Sequence, residues 1–434
     1  MHELTGKHIA IVGAGRSGRA AARLALREGA RVSMWDANGI TEAPEGVETH
    51  PYTNEQDAAQ ARADIAVLSP GIDTYGPYAQ AFASSCGDLI GEVELASRFY
   101  QGRIIGITGT NGKTTTTELA GRMLAEAGMG GTPCGNYGPP LTEVVLTCPA
   151  PAAIALELSS FQLETIRTLK PDVAVWLNFA PDHMDRYPSL EAYRAAKLRV
   201  FENLTADDII VARAGSDLPP QPAKLVEFST ETSECEWFSD GRLIYQNGVE
   251  FLNLESGSGL RGLHNAENAM AAIAACLALG VSKDSITRAL HGYSPPPHRC
   301  ELVRTLDGVE YLNDSKATNL HALESALRSQ VRPVVLMAGG KDKGLDYSAM
   351  VPLLKEKAVA VVTYGEIAAP LATLCSAAVP SQAVETIEQA LLTARSLAPR
   401  GSTVLLSPGT SSFDQFNDYT QRGDVFRELV LQLT

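Results

Sequence analysis

The sequence predicts an α/β protein with doubly wound parallel sheets, and two features of its pattern indicate this fold class. Short β-branched runs that end in Gly, Ser or Asp alternate with helical patterns along the chain, as in parallel sheets covered by helices. Glycine-rich turns follow two of these runs, at 13–18 and 108–112. The strand-like runs are HIAIVGAG, RVSMWDA, DIAVLSPG, RIIGITG, AAIALELSS, DVAVWLNFA, DIIVARAG, RPVVLMAGG, AVAVVTYG and STVLLSPG. Ligands are expected at the carboxyl ends of such strands.

The chain of 434 residues is long enough for two to four domains, and two breaks suggest three. A helix, EVELASRFYQ, leads into the strand RIIGIT near 91–103, and the proline cluster YSPPPHR at 293–299 cannot continue a helix. We therefore predict domains at 1–92, 93–297 and 298–434.

Net charge, cysteine pattern and the lack of long apolar runs argue against nucleic-acid-binding, disulfide-rich and membrane-spanning proteins. The net charge of -14, with no run of Lys or Arg, argues against a nucleic-acid-binding surface. Seven scattered cysteines without a C-x-x-C pair predict neither a disulfide framework nor a zinc site, which fits a reducing compartment. The N-terminal segment has no signal-peptide pattern, and no apolar run approaches the roughly 20 residues of a membrane helix. We expect a soluble cytoplasmic protein.

The stretch TGTNGKTTTTE at 108–118 predicts a site for a nucleoside triphosphate. Backbone N–H groups of a glycine-rich turn can bind phosphate oxygens, Lys113 adds a cation, and Thr114 offers a hydroxyl to Mg²⁺. The match to the common phosphate loop is partial, because Ile107 stands five residues before Gly112 where that motif has glycine. The alternative is an ordinary strand-to-helix turn.

A second glycine-rich turn, GAGRSG at 13–18, follows a strand, and Asp36 ends the next strand. This arrangement is typical of dinucleotide-binding folds and would suggest a dehydrogenase. A helix N-terminus with glycines also binds other diphosphates, including that of a UDP-sugar. A turn without a ligand is the third possibility.

Ionisable residues cluster after two further strands. Glu157 lies at the end of the apolar run AIALE, where it could bind Mg²⁺ or form an internal salt bridge. The segment NFAPDHMDRYPS favours a site over a purely structural loop, because it carries many ionisable groups close to the predicted nucleotide. Those side chains are Asn178, Asp182, His183, Asp185 and Arg186.

Lys197 is the most unusual residue of the helix SLEAYRAAKLRVF. It falls on the apolar face formed by Leu190, Tyr193, Val200 and Phe201, so its side chain is predicted to point inward. A buried lysine pairs with an acid or loses its proton, and a neutral amine can bind CO₂ as a carbamate that accepts Mg²⁺. The alternative is that the amine reaches the rim of the protein.

The last third of the chain carries further polar motifs. GLHNAENAMAAIAA at 262–275 opens a helix with His264, Asn265 and Asn268, which could contact a base or ribose or simply cap the helix. Four polar segments then follow strands or linkers: HR, NDSKATN, GGKDKG and SPGTSSFDQF. Together they could bind an anionic second substrate.

In this order the motifs resemble those of the Mur ligases, the ATP-dependent amino-acid-adding enzymes of bacterial cell-wall synthesis. The similar segments are GTNGKTT, ELSSFQLE, DHMDRY with AAKLR, GLHNAENA, HR, NDSKATN and SPGTSSFDQF, which span all three predicted domains. The resemblance is greatest to the members that add D-glutamate to UDP-N-acetylmuramoyl-L-alanine. It implies a Rossmann-like UDP-binding domain, a central P-loop ATPase-type domain and a Rossmann-like amino-acid-binding domain. It also implies that ATP phosphorylates a carboxylate and that an amine captures the acyl phosphate.

The resemblance implies roles for individual residues. Lys113, His183 and Lys197 would be catalytic. ATP would contact Gly109, Thr110, Asn111, Gly112, Lys113, Thr114, Thr115, Asn268, Arg299 and Asp314. Mg²⁺ would be held by Thr114, Glu157, His183 and Lys197 as its carbamate. The UDP-substrate would contact Gly13, Arg16, Ser17, Gly18, Asp36, Ser69, Gly71, Asn136, Ser159 and Gln162. D-Glutamate would face Thr318, Lys343, Ser412 and Tyr419.

The chain departs from the family at several of these positions. Ala37 and Asn38 follow Asp36 where a Thr-Arg pair is common, Tyr419 stands where Phe is expected, and GGKDKG is a variant loop. The competing hypotheses are a Mur ligase for another amino acid, a folate polyglutamylating enzyme, a nicotinamide-dependent oxidoreductase and a non-catalytic nucleotide-binding regulator. We expect a monomer that neither binds nucleic acid nor inserts into a membrane.

Overall fold

The computed structural model describes residues 4–51, 54–147, 149–184, 186–254, 256–294 and 296–434. Cys148, Asp185 and Pro295 lie outside the described residues. The described chain forms sheets of five, nine and six strands, most of them parallel, so the predicted α/β class is confirmed. Each of the ten strand-like runs contains a strand.

The first sheet has the order β3-β2-β1-β4-β5, and all its strands are parallel. Its strands are β1 (His8–Val12), β2 (Arg31–Asp36), β3 (Val47–Pro51), β4 (Ile65–Leu68) and β5 (Leu89–Gly91). The helices that follow them are α1 (Arg16–Arg27), α2 (Glu55–Ala58), α3 (Pro77–Ser85) and α4 (Glu92–Ser97). The strand order reverses between β1 and β4, which is where a doubly wound sheet opens a ligand-binding crevice.

The second sheet has nine strands in the order β14-β13-β12-β11-β10-β9-β6-β8-β7. Its strands are β6 (Arg103–Thr108), β7 (Gly130–Gly135), β8 (Ala153–Glu157), β9 (Val173–Trp176), β10 (Ile209–Arg213), β11 (Lys224–Ser229), β12 (Trp237–Ser239), β13 (Leu243–Gln246) and β14 (Val249–Asn253). Its helices are α5 (Lys113–Glu126), α6 (Leu141–Leu146), α7 (Ser160–Leu163), α8 (Leu190–Leu198), a 3₁₀ turn (Arg199–Phe201), α9 (Leu263–Ala278) and α10 (Lys283–Leu290). Strand β6 pairs with β8 on one side and β9 on the other, so the phosphate-loop turn lies where the order reverses.

The third sheet has the order β15-β16-β20-β17-β18-β19, and only β15 is antiparallel to its neighbour. Its strands are β15 (Glu301–Leu306), β16 (Val309–Asn313), β17 (Val334–Gly339), β18 (Ala358–Tyr364), β19 (Ser381–Ala383) and β20 (Thr403–Leu406). Its helices are α11 (Leu320–Arg328), a 3₁₀ turn (Tyr347–Met350), α12 (Val351–Lys357), α13 (Ala368–Cys375), α14 (Ile387–Leu397) and α15 (Tyr419–Gln432).

The contacts within the chain define two compact units. One comprises Met1–Ser258 and Asn265–Tyr293 and holds the first two sheets, and the other comprises Gly259–His264 and Ser294–Thr434 and holds the third. The three sheets fall within the three predicted ranges, while the domain boundaries themselves remain a prediction. No helix within the described part of the chain is long and apolar enough to cross a membrane.

Of the β-hairpins that were not predicted, two carry a two-residue turn signal in the sequence. Asn247–Gly248 joins β13 to β14, and Asp307–Gly308 joins β15 to β16. All four residues have positive φ, as the tightest hairpin turns require. An Asn-Gly or Asp-Gly pair between two short alternating runs would have identified both.

Glu94 of α4 links the first sheet's last helix to the loop that precedes β9. Its carboxylate is fully buried and accepts hydrogen bonds from the main-chain N–H groups of Arg167, Thr168 and Leu169 at 2.9, 3.0 and 3.0 Å. Arg98 Nε adds a donor at 2.9 Å. Burial would raise the pKa of Glu94, but these donors outweigh burial and lower the pKa below its usual value.

Replacing Glu94 by glutamine should lower the free energy of unfolding by about 3 kcal/mol. The neutral amide has only one acceptor oxygen, and its NH₂ group would face N–H groups that need an acceptor. A lowered folded-state pKa gives stability that is present above the unfolded pKa of about 4.3 and is lost as the pH falls through the folded value. Urea unfolding between pH 7 and pH 3 should therefore show a smaller loss on acidification for E94Q than for the wild-type protein. Equal pH dependence would contradict the assignment.

Candidate active site

The turn between β6 and α5 is built around its main-chain carbonyl groups and Lys113. The Lys113 amine donates to the carbonyl oxygens of Gly109 and Thr110 at 2.9 and 2.8 Å, so it lies over the turn. Thr114 is half-buried in the first turn of α5, and Thr115 is buried. The predicted phosphate-binding residues Gly109–Thr115 are thus contiguous at a helix N-terminus, where a phosphate group is favourably placed.

Gly112 is required by both conformation and space. Its φ of 84° lies in the left-handed region, and a Cβ at this position would come 2.2 Å from Oδ1 of Asn268. The same Asn268 oxygen lies 3.4 Å from the hydroxyl of Thr116, and Asn268 is buried. The structure therefore brings predicted ATP residues 109–115 and Asn268 together.

The loop after β9 supports this turn. Asn178 accepts from the N–H of Asn111 at 2.9 Å and donates back to the carbonyl of Asn111 at 3.1 Å. The Thr110 hydroxyl exchanges hydrogen bonds with the main chain of Ala180 at 3.0 and 3.1 Å. These bonds hold the conformation of the turn.

Glu157 ends β8 and is 2% exposed. Its Oε1 accepts from Nδ2 of Asn136 at 2.7 Å, and its Oε2 is buried without a hydrogen-bond partner among the described residues. The internal salt bridge weighed from the sequence is not found within those residues. A buried carboxylate oxygen without a partner is costly, so this position fits a cation ligand.

The predicted ligands Glu157 and Thr114 are of a chemical type that suits Mg²⁺, which prefers oxygen ligands and retains several waters. Glu157 supplies a carboxylate at the end of β8, and Thr114 supplies a hydroxyl at the start of α5. Within the described ranges no three His, Cys, Asp or Glu side chains form a group suited to a metal. A site here would therefore depend on few protein ligands, with phosphate and water oxygens completing it.

Replacing Glu157 by glutamine should raise the Mg²⁺ concentration needed for half-maximal activity by roughly 10- to 100-fold, because the amide loses the anionic oxygen that has no partner. Mn²⁺ binding measured by electron paramagnetic resonance should weaken in parallel. Glu126→Gln is the matched control, since Glu126 forms an exposed ion pair with Arg288. Unchanged metal dependence in Glu157→Gln would remove Glu157 from the metal site.

Lys197 of α8 points inward, as the spacing of apolar residues predicted, and is 1% exposed. Its amine donates to the carbonyl oxygen of Gly109 at 2.8 Å, so Lys113 and Lys197 meet at the same oxygen atom. It has no carboxylate partner within ion-pair distance among the described residues. Burial, and then the charge of Lys113, lower the pKa of Lys197 well below its usual value, which favours the neutral amine.

His183 lies in the loop between β9 and α8 with a φ of 56°. Its ring makes edge contacts with Phe161 and Tyr193, at centroid distances of 4.9 and 6.0 Å. Its main-chain N–H donates to the carboxylate of Asp182 at 2.9 Å. Tyr193 also lies under the Lys197 amine, 4.8 Å from ring centroid to Nζ, so His183 and Lys197 share one aromatic neighbour.

The glycine-rich turn after β1 is closed by Asp36 and Ser69. Asp36, at the end of β2, accepts from the N–H groups of Ala14 and Asn38 at 2.7 and 2.8 Å. The Ser69 hydroxyl donates to the carbonyl of Gly13 at 3.2 Å, and a Cβ on Gly18 would come 1.9 Å from that same carbonyl oxygen. Gly13, Gly18, Asp36 and Ser69 are therefore neighbours, with Ser17 half-buried at the start of α1.

Arg16, the first residue of α1, is engaged by Glu143 of α6. Its Nε and Nη2 donate to the two oxygens of Glu143 at 3.0 and 2.8 Å. Hydrogen bonding to Glu143, and then the charge of Glu143, raise the pKa of Arg16. The sequence pattern did not predict this contact, because 127 residues separate the two side chains.

A small pocket separates the loop after β4 from the segment around α7. Its lining residues are Leu68, Ser69, Pro70, Ile72, Thr74, Gly91, Glu92, Val93, Phe161, Gln162 and Thr165. The predicted UDP-substrate residues Ser69 and Gln162 thus line one pocket, with Gly71 exposed beside it. Ser159 caps α7 and exchanges hydrogen bonds with Gln162, while Asn136 contacts Glu157.

The second unit carries the remaining predicted nucleotide residues. Asp314 follows β16 and accepts from the Ser407 hydroxyl at 2.8 Å and from the Cys300 N–H at 3.1 Å. Burial raises the pKa of Asp314 to about 7. Arg299, half-buried, immediately precedes Cys300, so Arg299 and Asp314 belong to the same local cluster.

The four predicted D-glutamate residues lie on three segments of this unit. The exposed Lys343 amine lies 3.4 Å from the carbonyl of Thr318, which joins two of them. The Lys316 amine lies 3.7 Å above the ring of Tyr419, and Ser412 is buried at the start of a turn. The structure thus shows a direct contact of Thr318 with Lys343, whereas Ser412 and Tyr419 lie on a separate segment.

Arg422 is a residue that sequence reasoning missed. It is completely buried in α15 and donates to the carbonyls of Ser315 and Thr410 at 2.8 and 3.2 Å. Burial lowers the pKa of Arg422. It therefore holds the segment NDSKATN against the segment SPGTSSFDQF. The sequence offered one sign of this role, because the arginine occupies a helix position that faces the protein interior.

The chain matches two protein-family models. Residues 107–276 match the Mur ligase middle domain, and residues 298–409 match the Mur ligase glutamate ligase domain. Together the matches cover the phosphate-loop turn, Glu157, Lys197 and most of the third sheet.

Curated relatives are similar along the whole chain. A UDP-N-acetylmuramoylalanine–D-glutamate ligase from Geobacter metallireducens is 39% identical over 444 residues, covering 99% of this chain and 98% of its own length. The protein of the same name from Myxococcus xanthus is 39% identical over 450 residues, covering 98% of each chain.

Solved structures share the fold. The MurF ligase of Thermotoga maritima in complex with ADP has a TM-score of 0.61 at 16% identity, covering 99% of this chain and 97% of its own. The UDP-N-acetylmuramate–alanine ligase of the same organism has a TM-score of 0.59 at 18% identity, covering 98% and 99%.

Proposed function

The chain belongs to the Mur ligase family, and we propose that it joins D-glutamate to UDP-N-acetylmuramoyl-L-alanine with the conversion of ATP to ADP and phosphate. It is an ATP-dependent acid–amino-acid ligase of peptidoglycan precursor synthesis. The names and full-length similarity of its relatives support this substrate pair. The observation that carries the chemistry is the meeting of Lys113 and Lys197 at the Gly109 carbonyl, with the buried Glu157 close enough to act electrostatically on Lys197.

The reaction takes two steps. A carboxylate oxygen of the L-alanyl end attacks the γ-phosphorus of ATP, and the bond from that phosphorus to the bridging oxygen of ADP breaks. The amine of D-glutamate then attacks the acyl carbon, the amine loses a proton, and the acyl oxygen leaves with inorganic phosphate. Phosphorylation is needed because a carboxylate oxygen is a poor leaving group.

Within this reaction, residues 109–115 would bind the ATP phosphates through their N–H groups, and Lys113 would offset charge on the transferred phosphoryl group. Bound Mg²⁺ would neutralise further charge on the phosphate oxygens. Glu157, Thr114 and His183 would hold or position the ion. Asn268, Arg299 and Asp314 would line the nucleotide.

Lys197 would act as a carbamate formed from CO₂. Its buried position and lowered pKa favour the neutral amine that reacts with CO₂. The carbamate would then be an anionic ligand for Mg²⁺ next to the phosphate turn, and its negative charge would attract the Lys113 ammonium group.

The two remaining substrates would bind at separate places. The UDP portion would lie on the turn of Gly13, Arg16, Ser17 and Gly18 with Asp36, Ser69 and Gly71, and the sugar end would extend toward Asn136, Ser159 and Gln162. D-Glutamate would face Thr318, Lys343, Ser412 and Tyr419, where a cation and hydroxyls suit carboxylates.

We also propose that the protein is a cytoplasmic monomer without nucleic-acid partners. ATP and UDP-linked precursors are cytoplasmic substrates, and the six described cysteines are free thiols, which agrees with a reducing compartment. Light scattering at working concentrations would test the monomer.

Phosphate release with MgATP and UDP-N-acetylmuramoyl-L-alanine tests the proposed function. D-Glutamate, L-glutamate, L-alanine and meso-diaminopimelate should be compared, with mass analysis of the product. We expect release and a new amide with D-glutamate alone. Release with another amino acid would keep the ligase and correct its substrate, whereas saturable NADH binding without phosphate release would favour the oxidoreductase alternative.

A further inference from the structure

Arg186 connects the two segments that line the small pocket of the first unit. Its Nη2 donates to the carbonyl oxygen of Ile72 at 3.0 Å, and its Cζ lies 3.8 Å from the ring centroid of Phe161. Ile72 belongs to the loop after β4 and Phe161 to α7, and both line the pocket. One side chain therefore joins the loop of the first sheet to a helix of the second.

The guanidinium group is held in place by acids. Its side chain is 14% exposed, and Nη2 lies 3.4 Å from Oε2 of Glu164, whose own side chain is 1% exposed. Tyr187 donates its hydroxyl to the other oxygen of Glu164. Asp73, in the same loop as Ile72, lies 3.8 Å from Nε. This pairing makes the buried charge stable and fixes its plane against Phe161.

Ser69 connects Ile72, the residue that Arg186 contacts, to the glycine-rich turn after β1. The N–H of Ile72 donates to the carbonyl of Ser69 at 3.0 Å, and the Ser69 hydroxyl donates to Gly13 at 3.2 Å. A shift of the Ile72 carbonyl would therefore move the group that closes the turn after β1.

The backbone of Arg186 is hydrogen-bonded to His183, a predicted catalytic residue. The N–H groups of Arg186 and Tyr187 both donate to the carbonyl of His183 at 3.0 Å, and the His183 ring contacts Phe161. The same short turn thus carries both His183 and Arg186, whose side chain contacts the loop after β4.

We propose that Arg186 is a positioning residue that sets the Ser69–Ile72 turn, and with it the UDP-substrate, at a fixed place relative to His183. The proposal rests on the proposed function for its substrate, and it assigns Arg186 no contact with that substrate. Lysine cannot replace Arg186, because an ammonium group lacks the planar face and the fork of donors that stack on Phe161 and reach Ile72 together.

Steady-state kinetics of Arg186→Lys test this role. The KM for UDP-N-acetylmuramoyl-L-alanine should rise about tenfold or more, equivalent to about 1.4 kcal/mol, while the KM for ATP stays within about twofold. Arg199→Lys is the matched control, because Arg199 donates to the carbonyls of Glu164 and Ile166 and contacts no residue of 69–76 among the described residues. If the change in KM came only from a general loss of stability, Arg186→Lys and Arg199→Lys would show it equally.

Hydrogen exchange of the segment 69–76 gives a readout that does not depend on catalysis. We expect faster exchange there in Arg186→Lys than in the wild-type protein or Arg199→Lys. If the wild-type protein forms no amide but the exchange difference appears, the proposed function fails and the positioning role stands. If the wild-type protein is active but the KM and the exchange of Arg186→Lys are unchanged, the positioning role is overturned.

Asp73→Asn is a second variant that leaves the buried guanidinium in place. Asp73 is 51% exposed, so its replacement should not threaten folding. We expect a smaller rise of about threefold in the KM for the UDP-substrate. If Arg186→Lys does not fold, an unchanged KM and unchanged exchange in Asp73→Asn overturn the proposal.

Discussion

Replacing Lys197 by alanine should lower kcat by roughly 100- to 1000-fold, and a short carboxylic acid added in solution should restore part of the activity. The loss follows because the buried amine at the Gly109 carbonyl is the precursor of the proposed anionic ligand. The restoration follows because removal of the side chain leaves space in which acetate or propionate can supply a carboxylate. Initial rates of phosphate release, with and without the acid, measure both effects.

Lys170→Ala is the control for this experiment. Lys170 pairs with Asp208 at 2.6 Å and is partly exposed, so its loss should leave activity unchanged and give no response to added acid. Carbon NMR after equilibration with labelled CO₂ should show a carbamate signal in the wild-type protein that is absent from Lys197→Ala. A Lys197→Ala protein that is active without added acid would contradict the carbamate role.

Replacing Lys113 by methionine should lower kcat about 1000-fold, because the phosphoryl group would lose the cation over the phosphate turn. Methionine retains much of the length and apolar surface of the lysine stem, so the helix N-terminus should keep its packing. Phosphate release and ATP binding measured separately distinguish a lost transition-state interaction from lost affinity.

Lys224→Met is the control for Lys113→Met, because Lys224 is an exposed lysine of the same sheet outside the turn. It should retain the wild-type rate. A Lys113→Met protein with normal kcat would show that the turn does not act on the transferred phosphoryl group.

Local patterns predicted much of the fold and part of the site. The ten strand runs are short, largely apolar and bounded by turn-forming residues. Each could therefore be predicted without knowing which strands lie beside it in the sheet. The inward orientation of Lys197 followed from the same helical periodicity that buries Tyr193 and Phe201. The two glycine-rich turns were visible because their composition is local.

The remaining features depend on contacts between distant parts of the chain. Arg16 meets Glu143, and Arg186 meets Ile72 across 114 residues, which no spacing rule reports. The missing partner of Glu157 Oε2 likewise depends on what surrounds the end of β8 in three dimensions. Arg422 is buried because carbonyls of two separate loops converge on it, and no pattern within its own helix shows that convergence.

The transfer of a labelled oxygen tests the central claim, that a substrate carboxylate is phosphorylated before the amide forms. UDP-N-acetylmuramoyl-L-alanine carrying ¹⁸O in both carboxylate oxygens would be converted with MgATP and D-glutamate, and the phosphate and product analysed by mass. The account predicts one ¹⁸O in each phosphate released and one in the new amide. Unlabelled phosphate, with the second ¹⁸O recovered in water, would contradict it.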